Sequence, residues 1–292
     1  MATRKPGPWI QWRTIEPSAP PSRRVAGGEL RVTWVNHSTM LIQTENMNIL
    51  TDPIWSERCS PVSFAGPRRH HPPGIRFEDL PPVDVVLVSH NHYDHMDRPT
   101  LDRLVREHDP RIFVGLGNGA FLAGAHDLDW WQSVEIAPNV RLHAVPAQHF
   151  SARGLADRDA NLWCGFVVET PHGPIYFSGD TGPGPHFAML RQRFGPMRVA
   201  MLPIGAFRPE WFMGYVHMSP RDAIQAARVL EAGTAIPMHY FTFRLADDGQ
   251  EEPEAVLRRE LREGDRFAIL APGETFRSAA AEPPLSEPSS PD

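Results

Sequence analysis

The sequence predicts an α+β protein built from two related halves. Short apolar strand candidates alternate with a few amphipathic helices along most of the chain. A pattern of strand, polar turn, strand and then aspartate occurs twice, as TMLIQTENMNILTDP at 39–53 and CGFVVETPHGPIYFSGDTG at 164–182. Asp52 and Asp180 fall at matching places in the two copies. With 292 residues, the chain is long enough to bury about three quarters of its unfolded surface, so a core needs no staples.

Strands are expected at 30–35 and 40–43, then at 48–50 after a polar turn. Residues 83–89, VDVVLVS, make a continuous apolar run with a polar end, as in a strand buried on both faces. Further strands are expected at 111–114, 140–145, 165–169, 175–177, 200–203, 235–238 and 267–271. Helices are expected over 100–107, 220–232 and 254–263. The second has clear end signals: Ser219 as N-cap, Pro220 at the first helical position, Asp222 in the first turn and Gly233 just beyond the end.

These elements place one domain at 29–276. Residues 1–28 form a polar, Pro-rich N-terminal extension, and 277–292 read as a disordered C-terminal tail. Trp9, Ile10 and Trp12 are expected to pack on the body, with an aromatic-and-basic membrane contact as the sharper alternative. A long irregular insertion at 53–82 carries Trp55 and Phe64 with Arg58, Arg68, Arg69, His70, His71 and Arg76, which points to an ordered loop near a site. The 29 Lys and Arg against 35 Asp and Glu give a net charge of −6, which argues against a nucleic-acid partner drawn by a global basic field. Two cysteines make no disulfide framework, and reducing cytosol is the default compartment. Neither a signal-peptide core nor a spanning run is visible. A cytoplasmic protein is therefore expected, with peripheral contact at the inner membrane face as a variant of that reading.

The sharpest chemical feature is His90-Asn91-His92-Tyr93-Asp94-His95, directly after the VDVVLVS strand. Four ligand-type side chains in six residues cannot share one regular face, but a turn at a strand's C-terminal end can aim them at two adjacent points. Imidazole nitrogen and carboxylate oxygen suit zinc, and also iron or manganese. A closed structural zinc site would use cysteine, and both cysteines are distant in the sequence. His149, Asp180 and His239 each follow an expected strand, and sites in open α/β sheets form beyond the carboxyl ends of strands.

This pattern resembles the metallo-β-lactamase superfamily, whose H-x-H-x-D-H signature is followed by a His, an Asp and a His. The resemblance implies a four-layer αββα sandwich and two divalent metal ions per chain, zinc first, with iron or manganese as alternatives. Carried over residue by residue, His90, His92 and His149 would hold one ion. Asp94, His95 and His239 would hold the second, and Asp180 would bridge both. Position 92 is His where the redox flavodiiron branch has Glu, which favours hydrolysis. The motifs NHST (36–39), LTDP (50–53), GPRR (66–69), LPP (80–82), SHNHYDH (89–95), PIGAF (203–207), WFM (211–213), His217 and MHY (238–240) look like a narrower branch. It contains N-acyl-phosphatidylethanolamine-hydrolysing phospholipase D and its bacterial relatives, and the match spans roughly 29–276.

The resemblance implies a phosphodiesterase of phospholipase D type, acting on N-acyl-phosphatidylethanolamine-like or other amphiphilic phosphodiesters through metal-bound hydroxide. Asp94 and His217 are the catalytic candidates, the latter contacting phosphate or protonating the leaving group. Arg68 and Arg69 would pair with phosphate. Phe207, Trp211 and Phe212, with Trp55, Phe64 and Met213, would line an apolar channel for acyl chains. His37 reads as an orienter that bonds backbone near the site. Asp52 either accepts a hydrogen bond from a metal-bound His or merely ends a strand. Gly115–Gly119 lacks phosphate-loop spacing and reads as a turn. The competing functions are a lactonase or other carbonyl hydrolase of the same superfamily, and a non-catalytic metal-binding protein. The resemblance also allows a homodimer.

Overall fold

Alternate side chains of the VDVVLVS strand enter two different apolar clusters: Val85 and Leu87 join one, Val86 and Val88 the other. A strand buried on both faces needs a layer on each side, and the rest of the chain supplies them. The computed structural model describes residues 5–26, 28–154 and 156–279.

The first half contributes β1 (Leu30–Asn36), β2 (Thr39–Thr44), β3 (Met47–Thr51), β4 (Val85–Val88), β5 (Arg111–Gly115) and β6 (His126–Leu128). The second contributes β7 (Ser133–Ala137), β8 (Val140–Val145), β9 (Gly165–Glu169), β10 (Ile175–Phe177), β11 (Val199–Pro203) and β12 (Ala235–Met238). A last strand, β13 (Thr275–Ser278), returns to the first sheet. The two sheets run in the orders β13-β1-β2-β3-β4-β5-β6 and β12-β11-β10-β9-β8-β7. The helices are α1 (Arg98–His108), α2 (His186–Phe194), α3 (Glu210–Met213), α4 (Pro220–Val229) and α5 (Glu252–Glu260).

One cluster joins Val32, Trp34, Ile42, Val85 and Leu87 of the first sheet to Leu142, Ala144, Phe166 and Met201 of the second. It continues to Phe187 and Leu190 of α2 and to Ala223, Ile224 and Ala227 of α4. The other cluster packs Leu101 and Leu104 of α1 on Val35, Leu41, Leu50, Val86 and Val88. The layers are thus helix, sheet, sheet, helix, the four-layer sandwich the resemblance implied. α4 starts with a reciprocal capping box: the Ser219 amide donates to Asp222 Oδ2 (2.9 Å) and the Asp222 amide to Ser219 Oγ (3.3 Å).

The internal repeat is real in three dimensions. β2 and β3 form an antiparallel pair, and β3 then runs parallel to β4. β9 and β10 form an antiparallel pair, and β10 then runs parallel to β11. Asp52 follows β3 as Asp180 follows β10.

Several elements differ from the sequence expectation. Residues 267–271 form no strand and make a single bridge, Phe267 to Ala235. β6, β7, α2 and α3 were not anticipated. β6 is three residues with two of them exposed, β7 has no buried face, and α2 begins after Pro185 with no capping side chain. α4 ends at Val229 and α5 spans Glu252–Glu260, both short of the expected ends. β13 also takes Arg277 and Ser278 into the sheet, past the expected boundary at 276. The rest of the expected tail, 280–292, lies outside the described residues.

The N-terminal segment is a strap on the body. Its backbone amides at Gly7, Arg13 and Ser18 donate to the carbonyls of Asp247 (2.7 Å), His70 (2.7 Å) and Gly74 (2.8 Å). Trp9 Nε1 donates to the Asp248 carbonyl (2.8 Å), and Arg24 grips both oxygens of Asp84 (2.6 and 2.8 Å). Among the described residues no helix is long and apolar enough to cross a membrane.

Buried His71 donates from Nδ1 to the Pro72 carbonyl (2.7 Å) and accepts at Nε2 from the Thr242 hydroxyl (2.9 Å), and burial lowers its pKa from 6.5 to about 4. As pH falls, the unfolded chain therefore takes up this proton before the folded one does. The contribution is intact above about pH 6.5 and is lost toward pH 4. Urea titrations should show His71→Gln with a shallower fall in stability over this window than the wild type. Parallel curves would refute the assignment.

Candidate metal centre

Every ligand-type residue named above sits just past a strand end: His37 after β1, Asp52 after β3, His90–His95 after β4, His149 after β8, Asp180 after β10 and His239 after β12. The two sheets bring these ends to one place. His37, Asp52 and His239 have left-handed backbones, with φ of 44°, 34° and 61°. Such conformations cost about 1–3 kcal/mol each and persist only where the surroundings impose them. Gly205 packs closely against one of them: a Cβ there would lie 2.1 Å from the His239 carbonyl oxygen, so only glycine fits.

One group of donors is His90 Nε2, His92 Nδ1 and His149 Nε2, with His92 Nδ1 2.8 Å from His90 Nε2 and 3.3 Å from His149 Nε2. Two of the tautomers are fixed from behind. Ser89 Oγ gives its proton to Asp52 Oδ2 (2.7 Å), so it accepts from His90 Nδ1 (2.9 Å). His149 Nδ1 donates to the Val216 carbonyl (2.9 Å). The inward nitrogens of His90 and His149 are therefore bare lone pairs. Burial also pushes both pKa values well below the ordinary range, so both inward nitrogens remain acceptors open to a donor or a cation.

The second group is Asp94, His95 and His239, with His37. Asp94 Oδ2 lies 2.9, 3.2 and 3.3 Å from the Nε2 atoms of His37, His95 and His239. Asp180 Oδ2 lies between the groups, 2.9 Å from His239 Nε2, 3.2 Å from His95 Nε2 and 3.8 Å from His149 Nε2. Asp52 Oδ2 accepts from His95 Nδ1 (2.6 Å), which turns His95 Nε2 inward. Burial would raise both carboxyls, yet the facing imidazoles hold Asp94 and Asp180 well below the carboxylate range. In return those carboxylates overcome burial to bring His239 up to about 9 and His95 well above its usual value.

The residues fit a divalent cation. His95 Nε2, His239 Nε2, His217 Nδ1 and Asp180 Oδ1 are buried without a hydrogen-bond partner, a costly state unless something binds there. The donor atoms fall into sets of three or four within 4.8 Å of one another, among them His90, His92 and His149, and His37, Asp94, His95 and His239. No cysteine is in these sets. The cysteines do come near in space: Cys164 Sγ contacts the Ser89 carbonyl (3.6 Å). Burial raises both thiols above their ordinary pKa, so neither offers a thiolate.

The remaining candidates are placed as follows. His217 joins the cluster, its Nδ1 3.8 Å from Asp180 Oδ2 and its ring 5.0 Å from His149 and 5.3 Å from His239. Arg69 is buried within the insertion, donating to the carbonyls of Ser56 (2.9 Å) and Ile54 (3.0 Å). Arg68 pairs with Glu57 and lies over Trp12. Phe207 is buried, whereas Trp211 and Phe212 point outward from α3, 86% and 66% exposed. Two roles differ from or sharpen the sequence reading. His37 uses its ring on the Asp94 carboxylate rather than on backbone, and Asp52 serves as hydrogen-bond acceptor to His95 and Ser89. The strand-end position of His37, shared with every other ligand candidate, was the available signal.

Comparison with known proteins agrees with this geometry. The profile described as "Beta-lactamase superfamily domain" matches residues 47–240. The chain is 37% identical over 230 residues to N-acyl-phosphatidylethanolamine-hydrolyzing phospholipase D 1 of Caenorhabditis elegans, spanning 73% of this chain and 64% of that protein. It is 26% identical over 265 residues to a metal-dependent hydrolase of Pyrobaculum islandicum, spanning 85% and 100%. Among solved structures, the metallo hydrolase Igni18 of Ignicoccus hospitalis is similar with a TM-score of 0.64 at 21% identity, covering 86% of this chain and 99% of that one.

Asp52→Asn keeps the size of the side chain but removes the charge that orients His95 and Ser89. It should weaken metal binding about 10–100-fold, read by elemental analysis after dialysis against a graded chelator. Wild-type metal retention would show that Asp52 only ends its strand.

Proposed function

The chain belongs to the metallo-β-lactamase superfamily and is a metal-dependent hydrolase, and we propose that it cleaves amphiphilic phosphodiesters as a phospholipase D-type enzyme using two zinc ions. The observation that carries the two-ion reading is the pair of donor groups meeting at Asp180, whose Oδ2 reaches His149 of one and His95 and His239 of the other. His90, His92 and His149 would hold one ion, and Asp94, His95 and His239 the second. Two such ions supply Lewis acidity and a hydroxide source at neutral pH.

The chain's own groups supply the rest. Net reaction adds water across a P–O bond: phosphorus gains an oxygen and the alcohol leaves with a proton. Burial lowers His217 to about 4, so the ring is neutral at physiological pH. A neutral imidazole donates one N–H, which favours a hydrogen bond to a phosphoryl oxygen over delivery of a proton to the leaving group. Asp52, Ser89 and the Val216 carbonyl hold ligand imidazoles in one tautomer and one orientation.

An amphiphilic substrate fits the rim. Val216, whose carbonyl fixes His149, follows directly on Tyr215 and shortly after Trp211 and Phe212 of α3; Trp211, Phe212 and Tyr215 are 86%, 66% and 73% exposed. Large apolar groups grouped on a surface mark contact with another apolar phase, here acyl chains or the face of a membrane. The phospholipase D named above, at 37% identity, supports the same substrate class.

Zinc-loaded protein should hydrolyse bis-p-nitrophenyl phosphate and N-acyl-phosphatidylethanolamine while leaving lactones and nitrocefin untouched. Lactone turnover without phosphodiester turnover would replace this reading with a carbonyl hydrolase, and inactivity on every substrate would favour a binding protein. His217→Ala should keep its metal and lose about 10²–10³-fold in rate, the usual effect of removing one donor to transition-state charge. Loss of metal instead would make His217 a ligand.

A further inference from the structure

The ligands His90, His92, Asp94 and His95 lie on a loop from the first half of the molecule, while His149 comes from the second. Their convergence requires that the two segments be held at a fixed separation. Arg153, four residues beyond His149, spans that gap. Its Nη1 donates to the carbonyl oxygens of Asn91 (2.7 Å) and Met96 (2.9 Å), which bracket the ligand stretch 92–95. The guanidinium lies 4.1 Å from the centre of the Tyr93 ring, and Tyr93 Oη donates back to the Arg153 carbonyl (2.9 Å). At the other end, the amides of Arg153 (3.1 Å) and Gly154 (2.7 Å) donate to the Asp157 carboxylate, which fixes the segment that carries the arginine.

We propose that Arg153 is a positioning residue for the metal centre, tying the 91–96 loop to the segment after His149 so that His90, His92 and His149 reach one point. The inference rests on the metal-dependent reading of the site and is independent of the substrate. Hydrogen bonds from a charged donor are about twice as strong as neutral ones. The two acceptors are backbone carbonyls, so the tie acts on the course of the loop itself. Without it the strand end after β4 can pivot, and groups that orient ligands typically govern metal affinity by about 10–100-fold.

Three variants test this. R153M keeps bulk and loses both donors, R153Q stays polar but reaches neither carbonyl, and R153K offers a single nitrogen that can donate to both, as Nη1 does. The readouts are zinc affinity against a chromophoric chelator, the visible spectrum of the Co(II)-substituted protein, and melting temperature with and without zinc. R153M and R153Q should bind zinc about 10–100-fold more weakly, with an altered cobalt spectrum and a smaller zinc-induced rise in melting temperature. R153K should recover part of both. If R153M does not fold, R153Q carries the same expectation. Wild-type zinc affinity and spectrum in the folded variants would overturn the proposal. So would an equal drop in melting temperature with and without zinc, because that is the mark of a staple that ignores the metal. None of these readouts needs a substrate, so an error in the phosphodiesterase reading would leave them unaffected.

Discussion

Three imidazole nitrogens that meet at one point, with two buried carboxylates facing the same space, concentrate lone pairs and negative charge that positive charge must offset. Unpaired polar groups in an apolar interior cost several kcal/mol, and isolated charges far more. Here the cost is concentrated at the seam between the two sheets, where His90, His92, His149, Asp94, His95, Asp180 and His239 meet. Bound cations would offset it, each one satisfying the inward lone pairs of its own donor group. The second layer of contacts makes sense only in that light. Ser89 and the Val216 carbonyl take the outward protons of His90 and His149 and leave their inward nitrogens bare, and Asp52 takes that of His95 and turns its Nε2 toward Asp94 and Asp180.

The fold explains how residues from position 37 to position 239 reach one place. Each half supplies an antiparallel pair followed by a parallel neighbour, and each places an aspartate after the pair. The two aspartates have diverged in role. Asp180 enters the cluster directly, whereas Asp52 stands behind it and orients His95. The αββα layering brings strand ends of both sheets to this edge, the place where sites form in open α/β sheets.

Much of the candidate site could be read from the sequence because coordination chemistry writes itself into short strings. The run His90 to His95 after an apolar strand, and single His or Asp residues after three further strands, needed no tertiary information. What could not be read depends on contacts between remote segments. The hydrogen bond of His37 to Asp94 spans the gap between two loops, and that of Arg153 to Asn91 and Met96 joins the two halves. The same division holds for the fold. The buried strand β4 and the capped helix α4 carry strong local signals. The exposed β7, the three-residue β6 and the uncapped α2 are held by their neighbours, and local pattern does not report that. Residues 267–271 show the reverse case, an apolar run that lies beside β12 at the edge of the second sheet and pairs with it through a single bridge, Phe267 to Ala235.

The central claim is that these donors cage two cations that share Asp180. Anomalous diffraction at the zinc edge, from crystals of protein purified with zinc, tests it most directly. Two peaks about 3.5–4 Å apart are expected, one among His90, His92 and His149 and the other among Asp94, His95 and His239, with Asp180 touching both. No peak at this cluster, or a single fully occupied one with Asp180 turned away, would contradict the account.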